Sequence, residues 1–193
     1  MIDLILDGKI SVITGAGSGV GRAMANLFAT QGSKVTVVDV VSSRVDEVVR
    51  EISRPGMRAG EMVRDLSKIS EPEAMIDEVV KQHGRIDILC NNAGIMDAAK
   101  PAAETSDELW DRVMSTNLAA PFRASRRAIP VMIEHGGGVI LNTASVAGLF
   151  GGRAGVASLQ AAVNQRLRPL RRSQKSSPGR SLARCSWKCS MQR

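Results

Sequence analysis

Between an apolar run, Ile10 to Ile13, and a helix-compatible run, Arg22 to Gln31, the chain carries Thr14-Gly15-Ala16-Gly17-Ser18-Gly19-Val20-Gly21. Four glycines in eight residues remove side chains where the backbone turns from strand to helix. Such a turn lets the main chain pass close to a pyrophosphate. The helix that follows offers unpaired N–H groups and a positive dipole end to the same phosphates. A glycine-rich loop alone says little, but its setting here says more. A strand precedes it, a helix follows, and the acidic Asp39 closes the next strand, 18 residues past Gly21. That context is what a dinucleotide fingerprint requires.

The rest of the chain repeats this alternation. Lys9–Ile13, Lys34–Val38, Arg58–Met62, Ile86–Asn91 and Gly138–Thr143 read as strands. Val20–Gln31, Arg44–Ser53, Glu71–His83 and Asp107–Glu134 read as helices, the last broken near Pro121. Ser70 with Glu73, and Thr105 with Glu108, have the spacing of a capping box. His83-Gly84 and His135-Gly136 read as helix ends followed by a C′ glycine. Strict βαβα order implies a doubly wound α/β fold: a parallel sheet covered on both faces.

The pattern stops after Ala157. Residues 158–193 hold nine basic residues and no acid, which leaves 17 basic against all 19 acidic residues in 1–157. The net charge of +7 is therefore a property of the tail, and the body is mildly acidic. The tail is rich in Ser and Arg and has Pro169 and Pro178-Gly179. Leu159, Val163 and Leu167 recur at i, i+4 and i+8, so one short helix is expected, ended by Pro169 and followed by disorder. The expected organisation is a dinucleotide-binding domain over 1–157 and a basic tail over 158–193. Three cysteines, an odd number, argue against a disulfide framework and fit a cytoplasmic setting. Cys185 and Cys189 lack a third ligand, so no metal site is expected; Cys90 reads as a small buried apolar residue. No apolar run approaches a membrane span, and the N-terminus does not read as a signal peptide.

Four motifs together carry a resemblance: the loop Thr14-Gly15…Gly19…Gly21; Asn91-Asn92-Ala93-Gly94 after the fourth strand; Asn117 in the long fourth helix; and Ser145 in Asn142-Thr143-Ala144-Ser145 after the fifth strand. Over roughly residues 7–157 the chain resembles the short-chain dehydrogenase/reductase family. The resemblance implies a Rossmann-like sheet, here truncated after about the fifth strand. It implies a hydride transfer between NAD(H) and a small alcohol or ketone. It makes Thr14, Gly15, Ser18, Gly19, Val20, Gly21, Asp39, Asp65, Asn91, Ala93 and Gly94 the cofactor-binding set. Asp65 would contact the adenine ring, and the segment from Asn91 would line the pocket and tie the sheet together. Ser145 would orient the substrate oxygen, and Asn117 would hold a water of the proton relay. A carboxylate at Asp39 can accept from the adenosine ribose hydroxyls and repels a 2′-phosphate. Ser18 and Val40 are neutral where NADP-using members often carry a base. Both point to NAD(H) over NADP(H).

The chain departs from the family in one decisive respect. It has no tyrosine. The family places a catalytic Tyr about thirteen residues after the Ser, which falls on Ser158, and its partner Lys four residues on, at Ala162. A gapped alignment puts Leu159 in the Lys position. The change at residue 158 has the character of a frame shift, a splice variant or an assembly error. The missing family segments also argue against carrying over the family's homo-oligomer.

Other classes fare worse. Ser145 does not sit in a Gly-x-Ser-x-Gly elbow, and neither His83 nor His135 completes a triad, so a hydrolase is excluded. Two readings stay open beside an oxidoreductase: a non-catalytic NAD-binding module, and an NAD-binding body with a basic nucleic-acid arm. Trp187 is the tail's one aromatic, which speaks against stacking on bases.

Overall fold

The computed structural model describes residues 4–53, 59–97 and 100–145. Five strands, β1 (Ile10–Thr14), β2 (Lys34–Asp39), β3 (Gly60–Val63), β4 (Ile88–Asn91) and β5 (Val139–Asn142), form one sheet in the order β3-β2-β1-β4-β5. Every pairing is parallel, with Ile13 opposite Val37 on one side and Cys90 on the other. Parallel neighbours need crossovers, and helices supply them. These are α1 (Gly19–Thr30), α2 (Ser42–Ile52), α3 (Glu71–His83), and α4 (Asp107–Met114) continuing into α5 (Ala120–Glu134). The fold is the doubly wound α/β sheet the alternation implies.

Side chains alternate between the two faces of each strand. Ile13, Val37 and Cys90 pack with Ala25 and Ala29 of α1 and Val45, Val48 and Ile52 of α2. Their neighbours Val12, Val38 and Leu89 turn the other way, onto Met75, Ile76 and Val79 of α3 and Ala124, Ala128 and Met132 of α5. Fully burying such a side chain is worth about 1.5–3 kcal/mol, so these two layers dominate the stability. Cys90 is 1% exposed and burial pushes its thiol up to about 12, as a small core residue should behave. On β5, Ile140 is buried, while Val139 and Leu141 stay about half exposed on the α1 face.

Several boundaries move. α2 starts two residues before the expected Arg44, and β3 is displaced to Gly60–Val63. Neither capping box forms. Ser70 makes no side-chain cap bond, because Glu73 reaches instead to Arg126 of α5 at 2.5 Å. At α4 the cap is Ser106, which accepts from the Leu109 N–H, whereas Thr105 donates to the Pro101 carbonyl. The C′ glycine after α3 is present, with Gly84 left-handed at φ 73°. The expected break near Pro121 is a wide π-type turn over Ser115–Ala119, just before that proline. Residues 146–193 fall outside the described residues, and with them the expected tail helix and disorder.

Candidate dinucleotide-binding site

All five strands point the same way, so Thr14, Asp39, Asn91 and Asn142 end at one edge of the sheet. The strand order reverses between β1 and β4. In open α/β sheets that switch point is where ligands bind. The glycine loop follows β1 and the segment from Asn92 follows β4, so both line this crevice.

The loop is shaped by its glycines. Gly15 sits at φ 64°, and a Cβ there would lie 2.8 Å from the Ala93 Cα. A Cβ on Gly21 would lie 2.1 Å from the Gly15 carbonyl oxygen, so α1 can start against the loop only without a side chain at that point. Gly19 differs: at φ 52° it meets nothing within 4 Å. Ser18, Gly19 and Val20 are exposed. Ser18 caps α1 without a side-chain bond, and no acid occupies the first turn. Gly19 and Val20 therefore offer their N–H groups on an exposed surface at the positive end of a twelve-residue helix, while Gly21 is buried.

Thr14 welds the loop to β4. Its hydroxyl donates to the Cys90 carbonyl at 3.2 Å and accepts from the Asn92 and Ala93 N–H groups at 3.0 Å each. Asn92 answers by donating its side-chain amide to the Thr14 and Gly15 carbonyls at 3.2 and 3.4 Å, and it accepts from the Thr143 hydroxyl at 3.0 Å. Asn91, buried, donates to Ser125 of α5 and to Asn142 of β5. Thr14→Val keeps the shape but leaves two N–H groups without their acceptor. Each such donor costs ~1–3 kcal/mol when buried, and these are partly buried. A loss of about 2 kcal/mol is expected in urea unfolding, with Thr14→Ser close to the unmodified chain.

Asp39 is 9% exposed and both of its oxygens are engaged: Oδ2 accepts from the Gly17 N–H at 3.0 Å and Oδ1 from the Val41 N–H at 3.1 Å. Each oxygen keeps a further lone pair. Asp65 opens the turn after β3; the Ser67 hydroxyl at 2.7 Å, then the Ser67 N–H at 3.1 Å, hold its carboxyl below the usual carboxylate range. Gly94 is exposed, and a Cβ there would sit 3.5 Å from Asn117 Oδ1.

Asn117 lies in the π-type turn. Its side chain accepts from the Ile95 N–H at 2.9 Å and donates to the Ile95 carbonyl at 2.8 Å, so both ends of the amide are occupied within the protein. Pro121, four residues on, has no N–H to give to the Asn117 carbonyl. Ser145 follows β5 at the same edge and is exposed. A small cavity of about 10 Å³ lies beneath, between Thr14, Asn91 and Thr116 on one side and Leu66 and Ala120 on the other. That is room for about one water.

Direct bonds bring together Thr14, Gly15 and Ala93, with Asn92 as their common partner, and tie Asp39 to the loop through Gly17, whereas Asn91 bonds instead to Ser125 and Asn142. Asn92 emerges as the central brace of the site although its spacing alone reads as a turn; its place between two other motif residues was the available signal. The arrangement fits a dinucleotide: a Cβ-free cradle, an open helix N-terminus and an acid beside it. Among the described residues no group of His, Cys, Asp or Glu could hold a metal ion, and no helix is long and apolar enough to cross a membrane.

A chain built this way is a member of the short chain dehydrogenase family, whose family model matches residues 9–165. That match runs past Ala157, over the Ser158 and Ala162 positions. Among its relatives is 3β-hydroxysteroid dehydrogenase 2 of Eggerthella lenta, 37% identical over 79% of this chain. The chain spans only 59% of that relative's length, and about the same share of several others. A 7α-hydroxysteroid dehydrogenase solved with NADH and 7-oxo glycochenodeoxycholic acid superimposes with a TM-score of 0.77 and 34% identity, over 83% of this chain and 62% of that one. A protein from Beutenbergia cavernae solved with bound NADP gives a TM-score of 0.76 and 36% identity, over 83% and 63%.

Proposed function

We propose that the chain binds NAD(H) at the crevice between β1 and β4, in preference to NADP(H), and descends from oxidoreductases acting on a small alcohol or ketone. The observation that carries this reading is the corner where the Gly17 N–H holds Asp39 beside the open first turn of α1. The pyrophosphate is held by Gly15, Ser18, Gly19, Val20 and Gly21. Asp39 accepts from the ribose hydroxyls with its remaining lone pairs, and Asp65 lies along the adenine side. Asn91, Ala93 and Gly94 line the path toward the nicotinamide.

The cofactor, when bound, supplies the hydride. The protein's share is to hold the substrate oxygen and move a proton. Ser145 donates to that oxygen. The Asn117 carbonyl, which Pro121 has no N–H to reach, holds a water, while its side-chain amide keeps the turn in place against Ile95. With no tyrosine in the chain, the positioned proton donor is missing, and catalysis is impaired. Residues 158–193 form a separate basic tail in this reading.

Cofactor preference tests the proposal. Titrated by fluorescence, NADH is expected to bind at least about tenfold more tightly than NADPH, since repelling a phosphate beside a carboxylate is worth more than ~1 kcal/mol near a surface. Asp39→Ala should close most of that gap. Equal affinities in the unmodified chain would remove Asp39 from its role.

A further inference from the structure

We propose that residues 156–168 dock as an amphipathic helix in the trough between α1 and β5, setting Leu159, Val163 and Leu167 against Leu27, Val139 and Leu141. This goes beyond the cofactor reading and does not depend on it. The trough follows from how α1 is committed. Its Arg22 and Asn26 turn to Glu47 and Glu51 of α2. Its Ala25 and Ala29 press into the sheet. Because α2 lies over β2 and β3, the remaining flank of α1, with Met24 and Phe28, looks across β4 toward β5. Leu27 stands at the outer rim, 58% exposed. On the floor, Val139 and Leu141 are 46% and 45% exposed, whereas Ile140 between them is buried on the α5 side. Among the described residues nothing covers the α1 side of β5. Strands of a parallel sheet are buried on both faces, so this half-bare apolar strand lacks a partner on one side.

The chain that leaves β5 supplies that partner. Leu159, Val163 and Leu167 fall on one helical stripe, with Ala161, Gln165 and Arg168 opposite, and Pro169 stops the pattern. A helix over 156–168 is about 20 Å long, close to the ~18 Å of twelve-residue α1. Residues 143–155 span up to about 40 Å when extended, enough to turn from the end of β5 back over its own face. Charge decides between the two sides of the strand. The segment carries Arg166 and Arg168 and no acid. The α5 side also shows apolar groups, Phe122 and Ile133, but α5 bears Arg123, Arg126 and Arg127, with Arg126 stacked over the Phe122 ring. Cations there repel the segment. In the trough β5 has no charged residue, and the one charge on α1, Arg22, is turned to α2.

Thiol crosslinking on the full chain, in a Cys185→Ser/Cys189→Ser background, tests the seat; Cys90 is buried and does not compete. With a short bis-maleimide, Leu141→Cys paired with Val163→Cys should link within one chain, running as a monomer on a denaturing gel. Phe122→Cys paired with Val163→Cys should not link. The reverse preference would seat the segment on α5 and overturn the proposal. Links between two chains would give the trough to a second copy, and links in neither pair would leave it without this occupant; both contradict the proposal. Carbene footprinting avoids the cysteine variants. Labelling of Leu27 and Leu141 should be low in the unmodified chain and rise severalfold in Leu159→Ser/Val163→Ser/Leu167→Ser, with Phe122 unchanged. Equal labelling of Leu27 and Leu141 in the two chains would show that the segment does not cover them.

Discussion

Gly21→Ala is expected to lower the stability of the chain by about 3 kcal/mol and its NADH affinity by at least about a hundredfold. A methyl at this position would sit 2.1 Å from the Gly15 carbonyl oxygen and 2.8 Å from the Gly15 carbonyl carbon. These are backbone atoms, so no rotamer change relieves the contact. Gly15 cannot retreat, because its own Cβ position already abuts Ala93. The first turn of α1 must then move away from the loop by about 1 Å. Overpacking of this kind costs ~1–3 kcal/mol or more. Displacing preorganised groups by 1 Å can cost ~10²-fold where function depends on their placement. The contrast is Gly19→Ala. Its Cβ meets nothing within 4 Å, and only the positive φ opposes it, so a milder loss is expected, about 1 kcal/mol. Urea unfolding and NADH titration of both variants check the pair. Equal effects would mean that crowding at Gly21 is not what shapes the loop.

Turnover of small ketones and 3-oxoacyl thioesters with NADH is expected to fall about 10²–10⁴-fold or more below the common enzyme value of ~10 s⁻¹. The physical reason is the missing proton donor. Hydride transfer to a carbonyl leaves charge on oxygen, and a hydroxyl such as that of Ser145 can orient that oxygen without readily giving up its proton. No tyrosine exists to do so, and the position the family would use holds Ser158. Water must then supply the proton, which leaves a rate with little structure between pH 6 and 9. NADH oxidation by purified chain, free of host dehydrogenases, measures this. A rate near ~10 s⁻¹ would show that another group carries the proton.

What could be read from the sequence was what depends on neighbours along the chain. α3 begins and ends where Glu71 and the His83-Gly84 pair place it, because the apolar period and the C′ glycine are local properties. The glycine loop and Asp39 were legible for the same reason. Their spacing is a chain property, although the bond from the Gly17 N–H to Asp39 is not. The failures share one cause, a tertiary partner that spacing does not reveal. Ser70 and Glu73 have capping-box spacing, yet Arg126 from α5 takes the glutamate. At Thr105 the cap slips by one residue because Pro101 offers its carbonyl to that hydroxyl. Pro121 marked a helix break but not its form; the wide turn arises because Asn117 is anchored to Ile95, 22 residues away. Asn92 looks like a turn residue until its amide is seen between Thr14, Gly15 and Thr143. The expectation of weak catalysis, by contrast, needs no structure, since it rests on residue identities at 158 and 162.

The most direct test of a dinucleotide site at this sheet edge is amide hydrogen exchange of the chain with and without saturating NADH. Gly19 and Val20 are exposed in the free protein, and their N–H groups would be covered by the phosphates. Slower exchange is expected across residues 15–22 and 91–95, with little change in α3, whose core face points away from the loop. Protection confined to other elements, or none at saturating NADH, would contradict the assignment of the crevice between β1 and β4 as the cofactor site.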